Sequence, residues 1–571
     1  MNMDKIGNKI NAFSKYVIII LFTAMCFVLA ITGLFGSCYV NTDEYTYYVS
    51  DDAILHVFVL LAVIGILLLF RKFLLNTLSQ SKKKICWYIL IGVYAILALW
   101  FVLYTQMEPR ADQKSVVETA LHMLSGNYTD FQSGGYMDVY PNQVGIVYVF
   151  YWLFKIFPFG YNTIRVFNVI ALVMSVLSLN GIANELFPAE KNEKDYVVGV
   201  VTILFLPIFG YVTFLYGNTI GMGFSLSGIY CVCRYFRTRE KSMIALGTVA
   251  LALSVLVKEN FLINLIGVLI FLVLDLFRKP NKKTVIFLVV LLLGSISITN
   301  IAKFHTSKIT GEEISTGVPT LAWVAMGLQG GYMASGWHNQ YNENVYRDNQ
   351  CDTELANQEV KENIKQRVQE FVHHPGKAVS FFYKKTISQW NNPTFQCIWI
   401  NDLQLRKVGG SAAKGMPKWL ENILGEPGNS VLTQYMNCFQ TLVLFGVCMW
   451  ILLGRKEIQL QQLILSTIFI GGFIFHFIWE AKCQYVLPYF MLLIPYSVQG
   501  FRLLMQQIDL IFASGEKSKI QRLLSNRTCV GVLVGCLFVI VVSLAGQRWI
   551  DKVVGLTNVE YQEYVNQQKD R

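Results

Sequence analysis

Charged residues are scarce in this sequence. They make up 15% of its 571 residues, whereas hydrophobic residues make up 54%. Soluble domains contain about 25% charged residues, so the composition excludes an ordinary soluble globular protein. Apolar runs of the length needed to cross about 30 Å of hydrocarbon recur along the chain. We therefore predict an all-α integral membrane protein.

Motifs for metals and nucleotides are also missing. The twelve cysteines are scattered, and only Cys231 and Cys233 lie close together, which is neither a metal spacing nor a disulfide framework. The seven histidines show no metal spacing either. No glycine-rich phosphate loop and no Ser–His–Asp signature is present. We therefore expect no cofactor. A divalent metal and soluble-nucleotide chemistry have no support in the sequence.

The basic residues form short clusters between the apolar runs, at 71–72, 82–84, 234–241, 278–283, 455–456 and 517–527, while the loop 43–52 is acidic. Positive clusters remain on the cytoplasmic side of a membrane. We therefore predict a multi-pass cell-membrane protein with a cytoplasmic amino terminus and an extracytoplasmic carboxyl terminus. Such separate clusters do not form the continuous basic patch that binds nucleic acid.

The charge rule favours thirteen membrane spans, predicted at 16–36, 53–74, 85–105, 161–183, 196–215, 219–236, 243–257, 261–277, 284–303, 434–453, 458–478, 484–505 and 528–546. The run 18–35 lacks a small-residue cleavage pattern, so it is expected to remain as a span. The apolar stretch 141–157 is not counted, because a span there would move two basic clusters outside. We expect it to form an interfacial helix beginning at Pro141.

Asp112 is the leading candidate for catalysis. It lies in the sequence MEPRADQ at 107–113, just after the third span and before an amphipathic stretch from Ser115 to Gly126. A carboxylate at the membrane surface can accept a proton from an attacking hydroxyl or amine. The alternative is that Asp112 only caps a helix beginning at Gln113. Asp138, further along this loop, is a second candidate or a solvated charge.

Two pairs of charged residues lie at other outward span ends. Lys258 and Glu259 separate two apolar runs, where they either pair with each other or leave Lys258 to face a phosphate. Lys482 is a second cation at the outer surface, and Glu480 would either orient it or contact a sugar. Both pairs are therefore candidates for binding an anionic substrate.

Two further residues have both a functional and a structural interpretation. Arg165, near the outer start of its span, either reaches a phosphate or extends to the lipid headgroups. Asn218, in a tight turn, either bonds a substrate or is a plain turn residue. The sequence leaves both choices open.

Together these segments resemble the GT-C superfamily of polytopic membrane glycosyltransferases, which includes glycosyltransferase family 39, the protein O-mannosyltransferases and the lipid A aminoarabinose transferase. The matching segments are Ala111–Gln113 with Ala120, Leu124, Gly126 and Tyr128; Tyr140–Gly145; Gly160 with Arg165; Lys258–Asn260; and Glu480–Tyr485 with Pro488. They are similar to the family's first outer loop, its "YPP" segment, its "G....R" pair, its "TK.." turn and its "E..RY..P" segment. The similarity of plan covers residues 85–505.

The resemblance implies a GT-C fold that transfers a sugar, with inversion, from a polyprenyl-phosphate donor to an extracytoplasmic glycan, lipid or protein of a bacterial cell envelope. It implies that Asp112 is the general base and that Lys258, Lys482 and Arg165 bind the donor phosphate. The substrate-binding residues that it implies are Glu259, Glu480, Tyr485, Asn218, Tyr140 and Asp138. Gln113 replaces a second acidic residue that is common in relatives, which argues against a metal.

The implied organisation has five parts: two additional helices at 1–84, a core at 85–303 with its first outer loop at 106–160, an extracytoplasmic segment at 304–433, further spans at 434–546 and an extracytoplasmic tail at 547–571. The segment 304–433 is predicted to contain a helix from Glu354 to Phe371. The rival hypothesis is a transporter, flippase or binding protein for a lipid-linked glycan. The absence of an inverted repeat in the sequence argues against it.

Overall fold

The computed structural model describes residues 2–70, 79–188, 193–331, 333–403, 416–454, 457–512 and 518–555. These residues form helices and one β-hairpin. The helices up to the long polar segment are α1 Asn2–Phe35, α2 Ala53–Phe70, α3 Gln80–Thr105, α4 Asp112–Ser125, α5 Tyr136–Val139, α6 Val144–Ile156, α7 Tyr161–Leu186, α8 Val197–Leu204, α9 Leu206–Gly210, α10 Gly217–Thr238, α11 Lys241–Val257, α12 Leu262–Arg278 and α13 Lys282–Thr310.

The remaining helices are α14 Leu321–Gly327, α15 Tyr341–Asp348, α16 Thr353–His373, α17 Pro375–Trp390, α18 Cys397–Ile400, α19 Lys418–Leu424, α20 Gly428–Gly454, α21 Ile464–Ile478, α22 Cys483–Met491, α23 Ile494–Phe512, α24 Lys519–Ser525 and α25 Arg527–Gly555. The hairpin consists of β1 Gly36–Val40 and β2 Thr46–Ser50, which pair antiparallel with Gly36 opposite Ser50. It directly follows α1.

Eight helices in the described part of the chain are long and apolar enough to cross a membrane: Lys5–Phe35, Gln80–Thr105, Tyr161–Leu186, Glu259–Arg278, Lys282–Thr310, Gly428–Gly454, Leu460–Ile478 and Arg527–Gly546. Ala53–Leu69 and Lys241–Val257 are shorter apolar helices. The predicted all-α membrane class is therefore confirmed. The number of thirteen spans and the orientation of the termini remain predictions.

Two of the predicted spans are broken. The stretch 196–215 forms α8, α9 and a 3₁₀ turn, and 484–505 forms α22 and α23. Pro207 and Pro495 each lie in the first turn of the helix after the break, where the missing proline N–H costs no hydrogen bond. The end of the span predicted at 53–74, the basic residues at 71–72, 455–456 and 517, and the end of the predicted tail at 556–571 lie outside the described residues.

Helix α1 belongs to the main core. Phe22 is fully buried, and its ring packs against the rings of Phe469, Tyr496 and Trp450 at centroid distances of 5.6, 5.4 and 6.3 Å. The hairpin after α1 is held at the end of the bundle by a bond from the Cys38 amide to the Asn391 carbonyl, 3.0 Å. The first helix and its hairpin are thus packed within the same bundle as the central helices.

The stretch predicted as an interfacial helix forms a 3₁₀ turn at Pro141–Gln143 followed by α6. At 13 residues, α6 is shorter than the roughly 20 residues needed to cross a bilayer. It packs on α4 and approaches the end of α11 so closely that a Cβ on Gly145 would overlap the Leu256 carbonyl oxygen. This close approach brings α4 and α6 next to the turn that contains Lys258.

Replacing Gly145 by Ala is expected to lower the thermal unfolding temperature and the activity together. The added methyl group would force α6 away from α11, and overpacking of this kind costs about 1–3 kcal/mol. Thermal unfolding in detergent measures the effect. Gly92→Ala, at a helical position with nothing within 4 Å, is the matched control. An unfolding temperature of Gly145→Ala equal to that of the control would contradict the prediction.

The long polar segment packs over the end of the bundle. Its predicted helix is confirmed as α16, where Asp352 accepts bonds from the Glu354 and Leu355 amides as an N-cap, 2.8 and 3.0 Å. A second small core joins the segment to the loop before α6, and the Val318 amide bonds the Val139 carbonyl at 3.1 Å. The segment therefore covers the loops that contain the candidate residues.

Candidate functional site

Five charged side chains from four separate parts of the sequence meet at one end of the bundle, and we call them the charged cluster: Glu44, Asp112, Lys258, Glu480 and Lys482. Each lies close enough to at least one other member to shift that member's pKa or its own. The hairpin, the start of α4, the end of α11 and the α21–α22 connection supply them. Three of the predicted phosphate or catalytic residues are therefore brought together.

Asp112 is exposed at the first position of α4. The N-cap is Ala111, which makes no side-chain cap bond, so Asp112 does not occupy the capping position that the alternative required. Ala111 has φ 50°, a conformation that is rare for residues other than glycine and costs about 1–3 kcal/mol. A carboxylate held exposed next to a strained backbone is a common feature of functional sites.

The loop that holds Asp112 is anchored on both sides. Gln113 is buried, and its side-chain oxygen accepts a bond from the Leu215 amide, 2.9 Å. The buried Arg165 guanidinium donates to the Met107 carbonyl and to the Asn162 side chain, 2.7 and 2.8 Å. These contacts make Gln113 and Arg165 positioning residues for the loop. The implied phosphate-binding role of Arg165 remains a prediction.

Lys258 is a partly buried cation of the cluster, and it lies beside two tyrosine rings. Its ammonium lies 3.9 Å from the centre of the Tyr216 ring and 5.6 Å from that of Tyr485. Burial lowers its pKa to about 7, against the opposing charges of Asp112 and Glu480. Among the described residues no carboxylate forms an ion pair with this ammonium. An anionic ligand is therefore what would stabilise its charge.

Lys482, by contrast, is already paired. Its ammonium lies 2.8 Å from Glu44 Oε1, and Gln396 donates to the same oxygen at 2.9 Å. Burial opposes both charges, but their attraction outweighs it, so the pKa of Lys482 is raised and that of Glu44 is lowered. Sequence reasoning missed Glu44 as a site residue. Its only signal was the acidic character of the loop 43–52.

Glu480 is buried, and burial raises its pKa together with the nearby charge of Asp112, while His338 and Lys482 oppose the rise. The Tyr485 hydroxyl donates to Glu480 Oε2 at 3.4 Å. The connection that contains Glu480 is held by the buried Lys385, which donates to the Trp479 carbonyl at 2.7 Å. Tyr485 and Glu480 thus lie in the cluster as a bonded pair.

Arg110 is a further residue that the sequence did not single out. Its guanidinium lies over the Trp399 ring, 3.1 Å from the ring centre, and donates to the Thr42 carbonyl at 3.4 Å. It therefore joins the Asp112 loop to the hairpin that contains Glu44.

The other predicted residues lie at the margin of the cluster or outside it. The Tyr140 hydroxyl donates to Glu343 at 3.3 Å, although the charges of Asp112 and Glu480 still act on it. Asp138 is buried and accepts bonds from the Gly134 amide at 2.8 Å and from the Tyr346 hydroxyl at 3.3 Å. These bonds hold the loop before α6 in place. Glu259 is exposed, and the cation that acts on it is Lys303.

Asn218 lines a cavity with Lys258 and Tyr485. The described residues contain no group of three or more His, Cys, Asp or Glu side chains arranged to hold a metal, and metal independence remains a prediction. The cluster offers an exposed carboxylate and a cation with no ion-pair partner among these residues. Such a pair can deprotonate an acceptor and stabilise an anionic leaving group.

The fold and the apolar composition define a mostly helical integral membrane protein with a charged cluster at one end of the bundle. Residues 9–500 match the family model described as "Conserved hypothetical integral membrane protein", and the chain belongs to that family. No curated protein matches the chain.

Among solved structures, the chain is similar to the archaeal oligosaccharyltransferase AglB from Archaeoglobus fulgidus, in complex with an inhibitory peptide and a dolichol-phosphate. The TM-score is 0.38 and the sequence identity 10%, and the similarity covers 80% of this chain and 55% of that chain. This chain thus spans about half the length of that protein. A similarity of this size leaves the function to be argued from the site itself.

Proposed function

We propose that this protein is a membrane glycosyltransferase that moves a sugar from a polyprenyl-phosphate donor to an extracytoplasmic acceptor. Asp112 acts as the general base that removes a proton from the acceptor as it attacks the anomeric carbon. The bond from that carbon to the phosphate oxygen breaks, and polyprenyl phosphate leaves with the electron pair. The reaction inverts the anomeric carbon and needs no metal.

The observation that carries this proposal is the placement of Asp112 and Lys258. One is an exposed carboxylate, and the other is an ammonium without an ion-pair partner among the described residues, although the charge of Asp112 acts on that ammonium. Lys258 binds the donor phosphate and stabilises the negative charge that it gains on leaving. Lys482 adds positive potential, while Glu44 holds its side chain in place.

A lipid profile of cells tests this function. Cells that lack the protein are expected to accumulate one glycosyl polyprenyl monophosphate, because the donor is made but not consumed, and restoring the wild type should remove it. Mass spectrometry of extracted lipids identifies the sugar. An unchanged monophosphate pool would contradict the proposal. Accumulation of a pyrophosphate-linked oligosaccharide would instead support a transporter.

Binding of the donor is expected to weaken as the pH rises above about 7. Lys258 has a pKa lowered to about 7 by burial, so its ammonium is charged below this pH and loses its proton above it. Binding then requires proton uptake, and the affinity falls by up to about tenfold per pH unit. Titration of the purified protein with a glycosyl polyprenyl phosphate between pH 6 and 9 measures this, because the phosphodiester keeps one charge throughout.

Lys258→Arg is the matched control, since arginine stays charged over this range. Glu480 is a nearby carboxylate whose pKa is raised by burial, and Glu480→Gln separates its contribution. A wild-type affinity that is constant from pH 6 to 9 would contradict the assignment of Lys258 to the phosphate.

A further inference from the structure

The cavity beside Lys258 is lined by amide and aromatic side chains. It lies between the start of α10, the turn from α11 to α12 and the start of α22. Its interior volume is about 10 Å³, and the empty space is about 240 Å³ when the open solvent at its mouth is included. Asn218, Lys258, Gln484 and Tyr485 are among its lining residues. The cavity therefore lies next to Lys258, the residue that the proposed function assigns to the donor phosphate.

Two amide oxygens in this cavity lack hydrogen-bond partners. The Asn218 and Gln484 side chains are only 4% and 6% exposed, and within the described part of the chain Asn218 Oδ1 and Gln484 Oε1 accept no bond. Buried polar atoms without partners are rare in folded proteins, and each costs about 1–3 kcal/mol. A donor from outside the chain, either a water molecule or a ligand hydroxyl, would satisfy these two oxygens.

The phosphate group cannot be that donor. A phosphodiester offers only acceptor oxygens, so it satisfies the Lys258 ammonium but neither amide oxygen. A sugar attached directly to the phosphate supplies hydroxyl or amide hydrogens next to the anion. The Tyr485 ring, which lines the cavity, adds an apolar face against which the carbon face of a sugar can pack. The ammonium, the two acceptor oxygens and the aromatic face together provide the contacts that a sugar phosphate requires.

We propose that Asn218 and Gln484 are the specificity-determining residues for the donor sugar, each accepting a hydrogen bond from one of its hydroxyl or amide groups, while Lys258 binds the adjoining phosphate. This inference rests on the proposed function and names its sugar-recognition residues. Gln484 follows Lys482 by two positions, so the connection that bears Glu480 and Lys482 also presents the residue that selects the sugar. The two amides determine which sugar binds, and Asp112 and Lys258 perform the transfer.

Binding measurements with two lipids test the inference. One is the glycosyl polyprenyl phosphate extracted from cells that lack the protein, and the other is sugar-free polyprenyl phosphate of the same chain length. The purified wild type is expected to prefer the glycosylated lipid. Gln484→Met and Asn218→Leu, which keep the side-chain size, should each reduce that preference about ten- to hundredfold. Their affinity for the sugar-free lipid should stay within about twofold of wild type.

A control variant separates recognition from folding. Asn264 is a buried amide in α12 whose oxygen also lacks a partner among the described residues, but its amide group donates to Ser225 at 2.7 Å and it does not line the cavity. Asn264→Leu should change the unfolding temperature without changing the preference between the two lipids. A preference in Asn264→Leu that falls as far as in Gln484→Met would overturn the inference.

The remaining outcomes distinguish the inference from the function on which it rests. If Gln484→Met and Asn218→Leu keep the wild-type preference, the cavity holds only water and the sugar-recognition role is overturned, while the donor class stands. If the wild type binds both lipids equally, the sugar-recognition role is also overturned, and the donor class again stands. If the wild type binds neither lipid, the proposed function itself fails and the inference fails with it.

Discussion

Asp112→Asn is expected to reduce the turnover of the glycosyl polyprenyl phosphate by about 10²–10⁴-fold, because the variant cannot accept a proton from the attacking acceptor. General-base catalysis typically contributes an acceleration of this size. The amide keeps the shape of the side chain, and Asp112 is exposed, so no core contact is lost. The expected loss of stability is limited to the interaction of the carboxylate with the start of α4, about 0.3–1 kcal/mol.

Consumption of the donor in membrane vesicles at equal protein abundance measures this effect. Glu118→Gln is the matched control, since Glu118 is a half-exposed carboxylate on the same helix whose ion pair with Lys114 spans 3.7 Å. It should retain wild-type turnover. Near-wild-type turnover of Asp112→Asn would remove Asp112 from the role of base and leave only its favourable interaction with the start of α4.

Lys258→Met is expected to lower kcat/KM by about 10²–10³-fold. Methionine keeps much of the packing against Tyr216 but removes the charge that stabilises the departing phosphate, and loss of one such group at a transition state typically costs this much. Because burial already opposes the charge of Lys258, its removal should not destabilise the fold. The variant should therefore reach the membrane at normal abundance and unfold at or above the wild-type temperature.

The comparison of Lys258→Arg with Lys258→Met separates charge from shape. Arginine retains the charge but has a planar, larger head group that fits poorly in the space between two rings 3.9 and 5.6 Å from the present ammonium. We expect Lys258→Arg to recover part of the activity. If arginine recovers none while methionine retains most, the charge of Lys258 has no role in the reaction.

Local sequence signals predicted several elements correctly. The amphipathic stretch after Asp112 forms α4, and the stretch 141–157 contains the short helix α6, while its position at the membrane surface stays a prediction. The prediction of α16 was accurate because a capping Asp352 and the His373–Pro375 boundary mark its ends in the sequence. Each of these depends on residues a few positions apart, and hydropathy, charge and capping act over that range.

The candidate site was only partly predictable. Asp112, Lys258, Glu480 and Lys482 were identified because each is a charge at the end of an apolar run. The partner of Lys482 was not, because Glu44 lies more than 400 positions away and pairs with it only through the packing of the hairpin. The sequence did not indicate that the Arg165 guanidinium donates to the loop that precedes Asp112, and its phosphate-binding role stays a prediction.

The amino-acid sequence by itself determined the membrane class and the residues that lie at span ends, because a charge inside hydrocarbon costs several kcal/mol and is confined to those ends. Only the tertiary structure decided which of those charges face one another. The rotation and close packing of the helices pair Lys482 with Glu44, leave Lys258 facing Asp112, and bury the amides of Asn218 and Gln484 beside it. These contacts join residues 40 to 438 positions apart, and no local pattern in a single sequence records them.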